Sequence, residues 1–264
     1  MGRLAALRLP GPLVRLQIRA FGRAVGVDFA EIRDPLDSFA SFQEFFTRAL
    51  ADGARPVDPA PDAFVAPCDG TWGESGAIEG STLLQVKGRS YSVAALLGSA
   101  EDAEPFDGGV FASFYLAPRD YHRFHAPCRV TVTMARYLPG TLWPVNRLGV
   151  EGIDGLFARN ERICAYLQAD GGGTLCLVVI GATGVGRVRV RFDDLVTNAR
   201  GATPELRQYP PPGPAFGKGE EWGRFELGST IVALAAPGLV ELARAAPGAA
   251  VRVGERIGTL RNGA

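Results

Sequence analysis

VRVRF, residues 188–192, places Val188 and Val190 on one face of an extended chain and Arg189 and Arg191 on the other. That period of two is the signature of a half-buried strand. Working outward, Gly108 to Leu116, Cys128 to Leu138, Leu175 to Gly181 and Val185 to Phe192 share its character. They are short, β-branched and aromatic, and separated by glycine and proline. Ala249 to Leu260 reads as two more short strands around Gly254. Strands do not alternate with helices in a regular way, so a doubly wound parallel sheet is not expected. The expected fold is α+β: a β-rich, sandwich- or barrel-like domain over 36–264, behind a helical segment over 1–35.

The helical segment has its own pattern. Residues 12–27, PLVRLQIRAFGRAVGV, space Arg15, Arg19 and Arg23 four apart, so they share one helix face. Leu13, Val14, Ile18, Phe21 and Val25 make a broad apolar side. Residues 1–27 also hold Arg3 and Arg8, and no acidic residue. A basic stripe beside an apolar face suits a helix lying among anionic lipid headgroups, and equally a surface helix packed on its own domain. A second helix is expected over Phe39–Leu50, capped by Ser38, with Phe42, Phe45 and Phe46 inward. Residues 201–219, GATPELRQYPPPGPAFGKG, read as an unusually long loop leading to EEWGRFELGST, 220–230.

Bulk composition excludes several classes. The 264 residues are 47% hydrophobic and 21% charged with zero formal net charge, so no global field draws the chain to nucleic acid. Cys68, Cys128, Cys164 and Cys176 form no C-x-x-C pair, and with only two histidines no metal site is expected. The cysteines read as reduced thiols of a cytoplasmic protein. The longest apolar run, Leu175 to Gly181, is too short to span a bilayer as a helix.

Few residues are left to do chemistry. Lys87 and Lys218 are the only lysines, and ATGVG at 182–186 lacks the lysine of a phosphate-binding loop. His122 and His125 sit together in YLAPRDYHRFHAP, 115–127, fenced by Pro118 and Pro127. A base working near neutral pH is expected to be one of them. Asp69 in APCDG reads alone as an ordinary turn residue, and Ser229 in LGST alone means little. Together they offer one nucleophile, one base and one orienting carboxylate, a set that geometry permits in any chain order.

Several motifs occur in a recognisable order: FQEFFTRAL and RPVD (42–50, 55–58), PCDG (67–70), YLAPRDYHRFHAP, GTLWPVN (140–146), FARNER (157–162), GATGVG (181–186) and GKGEEWGRFELGST (217–230). Through them the chain resembles the bacterial phosphatidylserine decarboxylases along almost its whole length. Gly184, where a larger polar residue is expected, and Cys68 are departures that touch no candidate catalytic residue. The resemblance implies self-cleavage between Gly228 and Ser229 into chains 1–228 and 229–264. In it His125 is the base for the Ser229 hydroxyl, Asp69 sets the imidazole tautomer, and Ser229 becomes a covalent pyruvoyl cofactor. His122 would contact substrate or return a proton to the carbanion. The implied reaction is decarboxylation of phosphatidylserine to phosphatidylethanolamine by a peripheral protein on the cytoplasmic face of the cell membrane. A homodimer is one expectation for its assembly.

Three other readings compete. A pyruvoyl enzyme acting on a soluble amino acid or another serine lipid would share the motifs, though the basic apolar N-terminus favours a lipid. A silent lipid-binding domain would be expected to have lost Ser229, His125 or Asp69, and all three are present. A carrier-like β-module at the C-terminus would need a hairpin lysine, and none follows Lys218.

Overall fold

STIVALA, residues 229–235, is the strand around which the molecule is organised. Its side chains are apolar on both faces: Ile231 and Ala233 enter one core, Val232 and Leu234 the other. A strand covered on both sides reads as a continuous apolar run without alternation, which is why a search for period two passes over it. The computed structural model describes all residues except 1–4, 81, 86–88, 146–148, 150–151, 184–186, 200, 227–228 and 262–264.

Strand Ser229–Ala235 pairs antiparallel with Val110–Leu116 on one side and Thr174–Ile180 on the other. The sheet continues past Thr174–Ile180 to Arg162–Ala169, Val130–Leu138 and Glu205–Gln208. In the other direction it continues past Val110–Leu116 to Gly70–Ala77 and Ala250–Val251. Its two ends do not pair with each other, so the expected barrel-like closure is corrected to an open antiparallel sheet. One face packs on two three-stranded sheets, which contribute Phe64, Phe124, Trp222, Phe225 and Ile257 to a shared core. The other face is covered by the short helices Val93–Leu97, Ala100–Ala103 and Leu156–Arg159. The β-rich reading with few helices therefore stands.

The first helix, α1, spans Gly11–Val25 and ends at Gly26, whose left-handed φ of 82° lets its N–H reach the Gly22 carbonyl. Val14 and Ile18 are buried against Phe39 and Phe45. Burying those two side chains contributes roughly 3–6 kcal/mol, enough to hold the helix on the domain. Half of the apolar side is thus spent internally, while Leu13 and Leu16 stay 52% and 65% exposed.

The second helix, α2, is shorter than expected, Phe42–Phe46, and its cap is Ser41 rather than Ser38. Ser41 Oγ accepts the Glu44 N–H, and Glu44 Oε2 accepts the Ala40 N–H. This S-x-x-E capping arrangement sits in the sequence as SFQE, residues 41–44. Ser38 instead closes a 3₁₀ turn, Leu36–Ser38.

The 201–219 stretch is not structureless. Glu205–Gln208 and Ala215–Phe216 both pair with the exposed edge of Val130–Leu138, which satisfies backbone groups that a free loop would leave to water. The four cysteines are free and buried.

Candidate active site

Leu116 ends its strand opposite Ser229, and a tight turn follows in which Asp120 Oδ2 accepts the Ala117 N–H at 2.7 Å. That turn delivers His122, then the strand Arg123–His125, which pairs with Glu221–Phe225. On the other flank of Val110–Leu116, Tyr115 is opposite both Thr71 and Thr230. Ser229, Leu116 and Gly70 therefore lie in a row across the sheet, with Gly70 and Ser229 about 10 Å apart at two strand spacings. Gly70 has φ 154°, and a Cβ there would stand 2.3 Å from the Tyr115 carbonyl oxygen, so only glycine lets the strand after Asp69 come this close. Leu227 and Gly228, and hence the expected cleavage bond, lie outside the described residues, as does the Ser229 side chain.

His125 is held from both sides. Its backbone N–H donates to the Pro67 carbonyl at 2.7 Å. Its Nδ1 donates to the Gly219 carbonyl at 2.9 Å, which places the proton on Nδ1 and leaves Nε2 to accept the Tyr121 hydroxyl at 3.2 Å. Gly219, at φ 77° and packed against Val57, is the residue that turns its carbonyl onto the ring. Burial pulls the His125 pKa below the usual histidine value, opposed by the Gly219 hydrogen bond and by the charges of Glu221 and Asp69. The ring is a neutral base with its tautomer fixed.

Asp69 does not make the hydrogen bond to the imidazole expected of it. Arg55 Nε donates to both Asp69 oxygens at 2.9 Å, Arg55 Nη2 donates to Oδ2 at 2.6 Å, and the Val253 N–H donates to Oδ1 at 2.9 Å. Arg55 Nη2 also donates to Glu31 Oε2 at 2.8 Å, and Arg252 reaches Glu31 Oε1 at 3.3 Å. Burial alone would lower the Arg55 pKa; hydrogen bonds to Asp69 and Glu31 reverse that and raise it. The Glu31 pKa is lowered, chiefly by its hydrogen bond to Arg55. Asp69 therefore reaches His125 through its field, and the tautomer-setting partner is Gly219. RPVD carried the Arg55 signal and GKGEE the Gly219 signal; sequence reading assigned neither a role.

His122 is fully buried and packs against Phe46 with ring centroids 4.1 Å apart and planes tilted by 46°. Its Nδ1 donates to the Asp120 carbonyl at 2.8 Å, and Nε2 has no partner among the described residues. Burial drives its pKa down to about 3, so the ring is neutral at ordinary pH. The unfolded chain binds a proton near pH 6.5 that the folded chain refuses, so stability is lost as pH falls from there toward 3. Between pH 7 and pH 5 this single group should cost about 2 kcal/mol. Urea unfolding of His122→Gln should show a correspondingly flatter pH dependence; parallel curves for variant and parent would contradict a buried neutral ring.

Three motifs without a catalytic candidate share one anchor. Asn160, buried, accepts from Thr141 Oγ1 and the Trp143 N–H and donates to the carbonyls of Trp143 and Gly181. GTLWPVN and GATGVG are thereby tied together through FARNER, next to the strand end that bears Ser229. Among the described residues no cluster of histidine, cysteine or carboxylate side chains could hold a metal ion.

A neutral base with a fixed proton and an accepting nitrogen, in the field of a bonded carboxylate, is the equipment of an enzyme. The family model for phosphatidylserine decarboxylase matches residues 42–259. The chain is 45% identical over 261 residues to the phosphatidylserine decarboxylase proenzyme of Anaeromyxobacter sp. (strain K), covering 98% of this chain and 92% of that relative. It is 41% identical to the proenzyme of the same name from Brevibacillus brevis, over 89% and 82% of the two chains, and 40% identical to that of Myxococcus xanthus, over 98% and 92%. The chain belongs to the phosphatidylserine decarboxylase family.

Proposed function

We propose that this protein converts phosphatidylserine to phosphatidylethanolamine with a pyruvoyl group that it makes from its own Ser229 by cutting the Gly228–Ser229 bond. The observation that supports this reading is that Ser229, Leu116 and Gly70 share one row of the central sheet, with His125 tied to the segment before Asp69 through the Pro67 carbonyl. In the cut, His125 Nε2 takes the Ser229 Oγ proton as the Tyr121 hydroxyl yields that lone pair. Oγ bonds to the Gly228 carbonyl carbon, the C–N bond breaks with a proton going to the nitrogen, and the peptide becomes an ester. Loss of the residue 229 Cα proton then expels Gly228 as a carboxylate and leaves dehydroalanine. Water enters, ammonia leaves, and a pyruvoyl end remains. Its ketone supplies an electrophile for the substrate amine and a sink for the electron pair left by CO2.

The residues present fit that group. The one described lysine, Lys218, commits its Nζ to the Ala60 carbonyl, and His122 Nε2 is buried with no hydrogen-bond partner among the described residues. Because burial lowers the His125 pKa, self-cleavage should keep its rate below pH 6.5 and fall only in more acid solution. The activity is tested with phosphatidylserine labelled at the serine carboxyl. Labelled CO2 and phosphatidylethanolamine are expected; binding without CO2 release would favour a silent lipid-binding domain.

The lipid substrate gives the N-terminus a purpose, and we place the protein peripherally on the cytoplasmic face of the cell membrane. Leu7, Leu9, Leu13 and Leu16 are exposed, beside Arg8, Arg19 and Arg23. No helix among the described residues is long and apolar enough to cross a membrane. The double substitution Leu13→Glu/Leu16→Glu should weaken sedimentation with anionic vesicles by about tenfold or more. It should leave the fold intact, since neither side chain enters the core; unchanged sedimentation would remove this surface from the account.

A further inference from the structure

Arg48 follows α2 by two residues and is 4% exposed. Its Nη2 donates to the carbonyls of Arg119 and Asp120, at 2.8 and 3.2 Å, and its carbon Cζ lies 5.1 Å from the Phe45 ring centroid. Nε and Nη1 are buried and have no hydrogen-bond partner among the described residues. The carboxylates near it are committed elsewhere: Asp69 to Arg55 and Val253, Asp120 to the Ala117 N–H. The Asp120 carbonyl that receives Arg48 is the one that receives His122 Nδ1, so the two side chains meet at a single oxygen. That contact also leaves His122 with its own unpartnered atom, Nε2. Buried polar groups are nearly always bonded, and three idle atoms on two adjoining side chains call for a ligand. The ligand must carry an anion for the guanidinium and a hydrogen-bond donor for the imidazole.

We propose that Arg48 seats the headgroup of the substrate by its phosphodiester, next to His122, the substrate contact that the family resemblance already implies. This rests on the reading of the protein as a phosphatidylserine decarboxylase. The headgroup holds two anions, and the reaction chooses between them. An ion pair to the carboxylate would stabilise the charge that has to vanish as CO2 leaves, binding ground state more tightly than transition state. The phosphodiester keeps its charge throughout, so a cation placed there holds the substrate without opposing the chemistry. The idle nitrogens are closed to solvent in the uncut chain, which makes headgroup binding a property of the cleaved enzyme.

The experiment compares cleaved parent enzyme with Arg48→Gln, using short-chain phosphatidylserine and its phosphotriester, in which one methyl group removes the phosphate charge. The parent should lose roughly tenfold to hundredfold in kcat/KM on the triester, mainly through KM. Arg48→Gln should show that loss already with the diester and treat the two lipids alike. A parent indifferent to the methyl group overturns the proposal, and needs no variant to show it. So does a variant that retains the parent's full preference for the diester. If the parent releases no CO2 from either lipid, the failure lies in the decarboxylase reading itself.

Discussion

Ser229→Ala is expected to purify as one uncut chain and to release no CO2 from phosphatidylserine. The substitution removes a single oxygen at the first residue of the central strand. Backbone pairing of residue 229 with Leu116 needs no side chain, so the sheet should form as in the parent. Both losses follow from one atom: without Oγ the Gly228 carbonyl has no attacker, and without cleavage no ketone is made. The parent and the variant should therefore share their circular dichroism and differ completely in chain number and activity. A cut at this bond in the variant would mean that another group attacks it, and would move the nucleophile off Ser229.

Arg55→Met should be the most destabilising single change at the site, by about 3–5 kcal/mol, because it strands the buried Asp69 carboxylate. The side chains of Arg55 and Asp69 are only 11% and 7% exposed. By contrast Arg15 and Asp37, at 40% and 68%, form a surface pair that contributes little. A loss of that size corresponds to a fall in Tm on the order of 10 °C for a domain this large. Asp69→Asn added to Arg55→Met should restore part of it, since the stranded charge is gone. Strict additivity of the two changes would contradict direct coupling. The cluster also joins Glu31, Arg55 and Asp69 to Arg252 and Val253, which belong to opposite sides of the proposed cut. Thermal unfolding and retention of the small chain on a sizing column measure both effects.

The reach of the sequence can be judged strand by strand. VRVRF alternates, and its first three residues form a strand, Val188–Val190, paired on one side with Glu221–Phe225, while Arg191 and Phe192 fall outside it. Ser229–Ala235 and Arg162–Ala169, buried on both faces in the middle of the sheet, carry no period of two and passed unnoticed. The N-terminal helix was legible from its arginine spacing, but which apolar residues turn inward depends on Phe39 and Phe45, far along the chain. At the site, His122, His125, Asp69 and Ser229 stood out by residue type and motif. Their partners did not. A backbone carbonyl such as that of Gly219 has no sequence signature, and Arg55 and Arg48 look like any other of the many arginines until the fold removes them from water.

The central claim, that Ser229 becomes the reacting group by cleavage of its own chain, is met most directly by the intact mass of the purified protein under denaturing conditions. Two chains are predicted, the smaller beginning at residue 229 with a pyruvoyl group in place of serine. One continuous 28.0 kDa chain in a preparation that decarboxylates phosphatidylserine would contradict it.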